Sequence, residues 1–200
     1  MATAFKRKGS RIVARLDGNE RAIVRELLDQ TRQLLAPSGG STGDPVEDLL
    51  AGLGSVPDPQ ELADRDPALA RLLPDGHRGD PEVAAEYRAL TEQGLRQRKV
   101  ANLSTAIEAL DQPAARDKLE LDLGQAQALL IGLADVRLAL GERLELRTDE
   151  DSERLQQELA DLSTGLKASS ADGSQDPRLV IGLYYDFLTW MQESLAGALL

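Results

Sequence analysis

Five of the nine prolines in this chain directly follow an aspartate: Asp44-Pro45, Asp58-Pro59, Asp66-Pro67, Asp80-Pro81 and Asp176-Pro177. An aspartate at the N-cap accepts from the free amides of the first helical turn. A proline just inside the helix has no amide to leave unpaired. The dipeptide is therefore a helix-start signal, and its recurrence predicts a mainly helical chain. Asp44-Pro45-Val46-Glu47 and Asp58-Pro59-Gln60-Glu61 add an acid three residues on, completing a capping box. Asp122-Leu123-Gly124-Gln125 reads as another start, and Thr148-Asp149-Glu150-Asp151 as a weaker one.

From these caps, helices are expected at 19–35, 45–52, 59–64, 67–73, 81–110, 123–143, 149–166 and 177–199. Three short stretches alternate instead. Ile12, Ala14 and Leu16 share one face, with Phe5 on a preceding segment and Lys8-Gly9-Ser10 as a turn between them. Leu119 with Leu121, and Leu144 with Leu146, also alternate, so a small hairpin or sheet is expected. The fold class expected is a mainly α, single-domain bundle of about eight helices over 1–200. Residues 1–16 would form a basic hairpin or arm, and 37–66 a mobile Pro/Gly-rich connection.

The helix faces rank the elements. In 123–143, Ala126, Leu129, Leu133, Val136 and Leu140 form one stripe, and Leu130, Ala134 and Leu138 fill the neighbouring side. A helix apolar nearly all round belongs at the centre. Segment 149–166 has leucines on one side only and belongs on the surface. The long helix changes face. Val83, Tyr87 and Leu90 point one way; Val100, Leu103, Ile107 and Leu110 point another. Gly94 lies between, which predicts a kink or two packing partners.

The inventory excludes much chemistry. Without cysteine there is no thiolate nucleophile, disulfide or Cys-based metal site, and a single histidine rules out HExxH zinc. No apolar run approaches the roughly 20 residues of a membrane span. Met1 to Lys8 lacks an apolar h-region, so no secretory signal is expected and a cytoplasmic location is. A net charge of −11 disfavours nucleic acid and membrane. The charge is uneven: Lys6, Arg7, Lys8, Arg11 and Arg15 give +5 within residues 1–16, leaving −16 on the rest.

Arg71 through Glu92, continuing through Leu95 to Asn102, resembles an uncharacterised actinobacterial family with a domain of unknown function. Ala134 through Leu144 and Asp186 through Leu195 look like two further blocks of it. Residues 37–66 and 149–175 match its pattern least. The resemblance implies no catalytic residues. It does imply frequent encoding beside the adaptor of the Clp protease, and a loose association with regulators.

Several constellations are candidates. His77 lies in a turn, with no serine or acid spaced to make it a base. Asp135 and Arg137 interrupt the most apolar helix and are expected to form buried ion pairs, each with its own partner because they do not face each other. Asp149, Glu150, Asp151 and Glu153 suit a helix dipole better than a metal. Lys6, Arg7, Lys8, Arg11 and Arg15 are candidate anion contacts, with Arg96, Arg98 and Lys99 as a second set. In the last helix, Val180, Leu183, Tyr184, Phe187, Met191, Leu195 and Ala198 form the expected core stripe. Tyr184, Tyr185, Trp190 and Glu193 are the candidate partner face, with Trp190 at the stripe's edge beside acids. The function expected is a non-catalytic protein-interaction or regulatory module with a protein partner or a homodimer, no cofactor and no metal. The alternative is a nucleic-acid-binding transcriptional regulator using the basic N-terminal segment.

Overall fold

The structure is a computed structural model that describes residues 2–36, 64–77, 79–113, 117–163 and 176–200. It opens with strands β1 (Thr3–Lys8) and β2 (Arg11–Arg15), followed by helices α1 (Gly18–Leu34), α2 (Pro67–Leu72) and α3 (Pro81–Asp111). Strand β3 (Lys118–Leu121) precedes helices α4 (Leu123–Arg143), α5 (Asp149–Ser163) and α6 (Pro177–Leu199). Among the described residues there are thus six helices, not eight. The helices expected at 45–52 and 59–64, and most of the connection 37–66, lie outside those residues.

The caps work as their chemistry dictates. The side chains of Asp66, Asp80 and Asp176 accept from first-turn amides, each followed by proline. Asp17 with Glu20, and Asp122 with Gln125, form reciprocal capping boxes at α1 and α4. The strands form one antiparallel sheet in the order β1-β2-β3, with the hairpin reversing at Gly9, whose φ is +64°. Lys6 lies opposite Val13, Ile12 opposite Leu121, and Ala14 opposite Leu119. Phe5, Ile12, Ala14, Leu119 and Leu121 are buried against the helices.

Helix α4 touches α1, α2, α3 and α6 and carries the centre of the core on Leu129, Leu133 and Val136. By length and composition it would pass as a membrane span, yet Ala126, Ala128, Leu129, Gly132 and Leu133 face other helices. It is not enclosed all round: Leu123, Ile131 and Leu138 are exposed on its outer side. Helix α3 runs unbroken through Gly94. Leu103, Ala106 and Leu110 are buried in its second half, whereas Val83, Tyr87 and Leu90 are exposed. Within the first face the Tyr87 ring rests against Gly76 of the turn before α3, where an added Cβ would fall 2.1 Å from it. Arg21 ties the end of α3 to the sheet, donating to the carbonyls of Leu110 (3.2 Å), Gln112 (3.0 Å) and Lys118 (3.5 Å).

Leu144 and Leu146 are not in a strand. Leu144 caps α4, and Glu145 follows in the left-handed region at φ 59°. The Leu146 amide donates to the Gly141 carbonyl (2.9 Å) and the Glu145 amide to the Glu142 carbonyl (3.1 Å), which is a Schellman turn. Glycine is the usual residue at that position, so its absence hid the stop. Glu145→Gly removes a left-handed penalty of about 1–2 kcal/mol against an unfolded-state entropy cost of about 0.4–1 kcal/mol. A small rise in melting temperature is the expected result, and a fall would show that the Glu145 side chain contributes more than its backbone costs.

Candidate functional site: an apolar groove between α1 and α6

Helix α1 has more apolar residues than one core stripe can use. Val24, Leu28 and Leu35 are fully buried. Ile23, Leu27 and Leu34 follow the neighbouring line and are only half-buried, because α6 stands away from them. The result is a groove of about 780 Å³. Ile23, Leu27 and Leu34 form one wall, Ile181 and Tyr184 the other, and Val136 with Leu140 of α4 the floor.

Polar groups sit at its edge. Gln30 donates to the exposed Glu26 (2.9 Å). At one end Arg143 pairs with Asp66 (2.5 Å), the same aspartate that caps α2. Burial pushes the Asp66 carboxyl up, but Arg143 and the α2 amides outweigh it and hold it below the usual carboxylate range. Thr31 donates its hydroxyl to the Leu27 carbonyl (2.9 Å). No nucleophile–base pair faces the groove among its lining residues.

The predicted partner face is divided by the structure. Tyr184 lines the groove. Trp190 lies along the outer edge of α6, 38% exposed, stacked on Phe187 at 6.0 Å between ring centroids and 18° between planes. Leu183 is exposed on the same line of α6, so Leu183, Phe187 and Trp190 form an apolar ledge; none of the three lines the groove. Glu193 is exposed on the flank. Tyr185 faces elsewhere, under the Arg137 guanidinium. The core stripe of α6 is also rotated from the one expected: Gly182, Leu188, Met191, Leu195 and Ala198 are buried, while Leu183 is exposed and Phe187 half-buried. A Cβ on Gly182 would lie 2.9 Å from Leu155, so glycine here lets α5 close on α6 and turns the helix.

Asp135 is 3% exposed and its Oδ1 accepts from Lys99 Nζ at 2.5 Å, while Oδ2 has no partner. Burial pushes its carboxyl above the usual range, and Lys99 offsets this only in part. Among the described residues Arg137 has no carboxylate partner of the kind expected. It donates to Gln192 (2.6 Å) and to the Tyr185 hydroxyl (3.4 Å), lies 5.1 Å from the Tyr185 ring centroid, and leaves Nε unpaired. These residues join α3, α4 and α6.

The second cationic set is largely committed elsewhere. Arg96 donates to the Leu35 carbonyl (2.8 Å) and to Glu92 (3.0 Å), and Lys99 is held by Asp135. Arg98 is exposed. The N-terminal set is brought together: the register puts Lys6, Lys8, Arg11 and Arg15 on the outer face of the sheet, and Arg7 is exposed near the hairpin turn. Glu120 opposite Val13 interrupts this face, held low by Lys118 first and by Arg11 and Lys8 at longer range. His77 Nδ1 accepts from the amides of Gly79 (3.2 Å) and Asp80 (3.1 Å), so it organises the turn before α3. Asp151 accepts from the amides of Arg147 (3.1 Å) and Thr148 (3.0 Å) at the start of α5. Among the described residues no three His, Cys, Asp or Glu side chains converge as metal ligands would.

A helical module with a small antiparallel sheet and an open apolar groove is the class of protein that these features define. The chain belongs to the family described as a domain of unknown function, DUF2017, whose model matches residues 2–199. No curated protein and no solved structure matches it.

Proposed function

We propose that the protein is a non-catalytic interaction module that seats an amphipathic helix of a partner protein in the groove between α1 and α6. The observation that carries this reading is the groove itself: three helices present half-buried apolar residues around a space with only a few polar groups at its edge. Recognition of a helix by an apolar groove needs little else: a few anchors at helical spacing and a polar rim for orientation. The ledge of Leu183, Phe187 and Trp190 is a second apolar patch on α6, outside the groove lining, and offers an aromatic anchor of the kind that such interfaces favour. The resemblance implies that members of the family are often encoded beside the adaptor of the Clp protease, and a partner-binding role fits that expectation.

The test is affinity capture from the native cell with wild type, Leu27→Asp and Trp190→Ala. Leu27 is half-buried on the groove wall and Trp190 is on the ledge, so both should lose the partner while their melting transitions remain cooperative. Retention of the same partner by both variants would remove the groove from the account.

A second reading has one specific observation behind it: Lys6, Lys8, Arg11 and Arg15 share one sheet face, as a phosphate-contacting surface would require. The charge of −16 on the remaining residues opposes it. Duplex DNA titrated at two salt concentrations is expected to show no specific, salt-sensitive binding. Submicromolar affinity that falls steeply with salt, and that is lost when the four cations become alanine, would establish the regulator instead.

A further inference from the structure

Helix α3 up to Lys99 turns charged side chains inward beside Ala84 and Leu95. Its inner line is charged: Glu92 is gripped by Arg65 (2.9 Å) and Arg96 (3.0 Å), Lys99 holds Asp135 (2.5 Å), and Arg88 pairs with Asp75. Arg65, Glu92, Arg96 and Lys99 are all largely buried. The apolar residues face outward: Val83 is 44% exposed, Leu90 77%, and Tyr87 50%, its ring resting in part on Gly76. The ion pairs fix the helix in rotation, so these three side chains cannot turn inward without stranding buried charges. Single exposed apolar residues need no explanation, but three at helical spacing on one line do.

The same outward line continues past the bulky residues to Gly94 and Ala101. Gly94 lies inside a 31-residue helix, where glycine is unfavourable, and no contact among the described residues requires it. A Cβ there would meet only the tip of Arg98, at 4.0 Å. The line is therefore bulky in one half and hollow in the other.

We propose that this face pairs with a second copy of the chain, α3 against α3, antiparallel about a two-fold axis crossing between residues 90 and 91. In that register Tyr87 lies over Gly94 of the partner subunit, and Leu90 lies beside Thr91 of the partner subunit. The symmetry repeats both contacts, so each bulky half fills a hollow one. An antiparallel pair sets like flanks together at opposite heights. The flank bearing Glu82 and Glu86 then faces Gln93 and Gln97 of the partner subunit, and the acids are kept apart from their own counterparts. On the other flank Arg98 reaches the Tyr87 ring of the partner subunit. A parallel pair would set each bulky residue against its own copy and leave the two hollow halves facing each other. A foreign helix would have to supply a matching hollow and a neutral flank, both of which the second copy already has.

This face is separate from the groove, and its test does not depend on it. Sedimentation equilibrium of the full chain should show a monomer–dimer equilibrium that strengthens with salt, because each copy carries −11 and screening relieves their repulsion. Leu90→Asp and Gly94→Leu should each weaken the dimer by at least about tenfold, without lowering the melting temperature of the dilute chain. The chain has no cysteine, so single-cysteine crosslinks are unambiguous. Oxidised Leu90→Cys should form a covalent dimer. Ala101→Cys should not, because its two copies would lie roughly 30 Å apart along the helices at about 1.5 Å per residue. A wild-type chain that stays monomeric at every concentration would overturn the proposal. So would a dimer that both substitutions leave intact, or equal crosslinking at 90 and 101.

Discussion

Lys99→Met is expected to destabilise the fold by about 3–5 kcal/mol, because it removes the cation from a carboxylate with almost no access to water. That is a large fraction of the about 5–15 kcal/mol by which a domain is usually stable. Lys99→Met combined with Asp135→Leu should recover most of the loss, since neither charge is then stranded. Urea titration of the two variants and the wild type measures both effects. If Lys99→Met alone costs nothing, Asp135 has another partner or is neutral at the working pH.

The pH dependence gives an independent check on the same pair. Asp135 has a folded-state pKa raised by burial. Its contribution to stability is therefore fully present below the ordinary carboxylate pKa and is lost as the pH rises through the raised value. Glu142 is the opposite case. Its hydrogen bond from Arg71, with the nearby Arg147 charge, holds its carboxyl low, so its contribution is present at neutral pH and is lost on acidification. Asp135→Asn should therefore gain on the wild type as the pH rises from the acidic to the neutral range, and the deficit of Lys99→Met should shrink as the pH falls.

Leu188→Ala should cost about 2–5 kcal/mol, since Leu188 is fully buried beside Met191 and Leu195. Trp190→Ala should cost less, about 1–2 kcal/mol for the Phe187 stack and the buried part of the ring. Thermal melts of the two variants decide the ranking. An equal loss would place Trp190 in the core and remove the ledge from the partner surface.

That ranking differs from the one the sequence suggests, which puts Leu183 and Phe187 inside and passes over Leu188. A helical wheel fixes which residues share a face. It does not fix how the helix is turned, and here Gly182 decides the turn by admitting Leu155. Features with short-range causes were legible: the Asp-Pro caps, the β1–β2 hairpin, the start of α4 and its place at the centre. Leu144 and Leu146 misled because a Schellman turn with glutamate in the left-handed position alternates like a strand. Arg137 misled because a half-buried guanidinium can be satisfied by an amide, a hydroxyl and an aromatic ring without a carboxylate. The groove was legible only in part. Tyr184 was marked by its neighbours in an aromatic cluster. Ile23, Leu27 and Leu34 are ordinary helix residues whose importance depends on where α6 stands. The surplus of apolar positions on α1, more than one core stripe can bury, was the signal available for them.

The groove is tested most directly by a photo-crosslinking side chain placed at Leu27 and, in a separate protein, at Lys6, each irradiated in the native cell. Leu27 lies on the groove wall and Lys6 on the outer face of the sheet. A discrete protein adduct at Leu27, absent at Lys6 and lost when Tyr184→Asp is added, is the predicted result. An adduct to nucleic acid at Lys6, with none at Leu27, would contradict it.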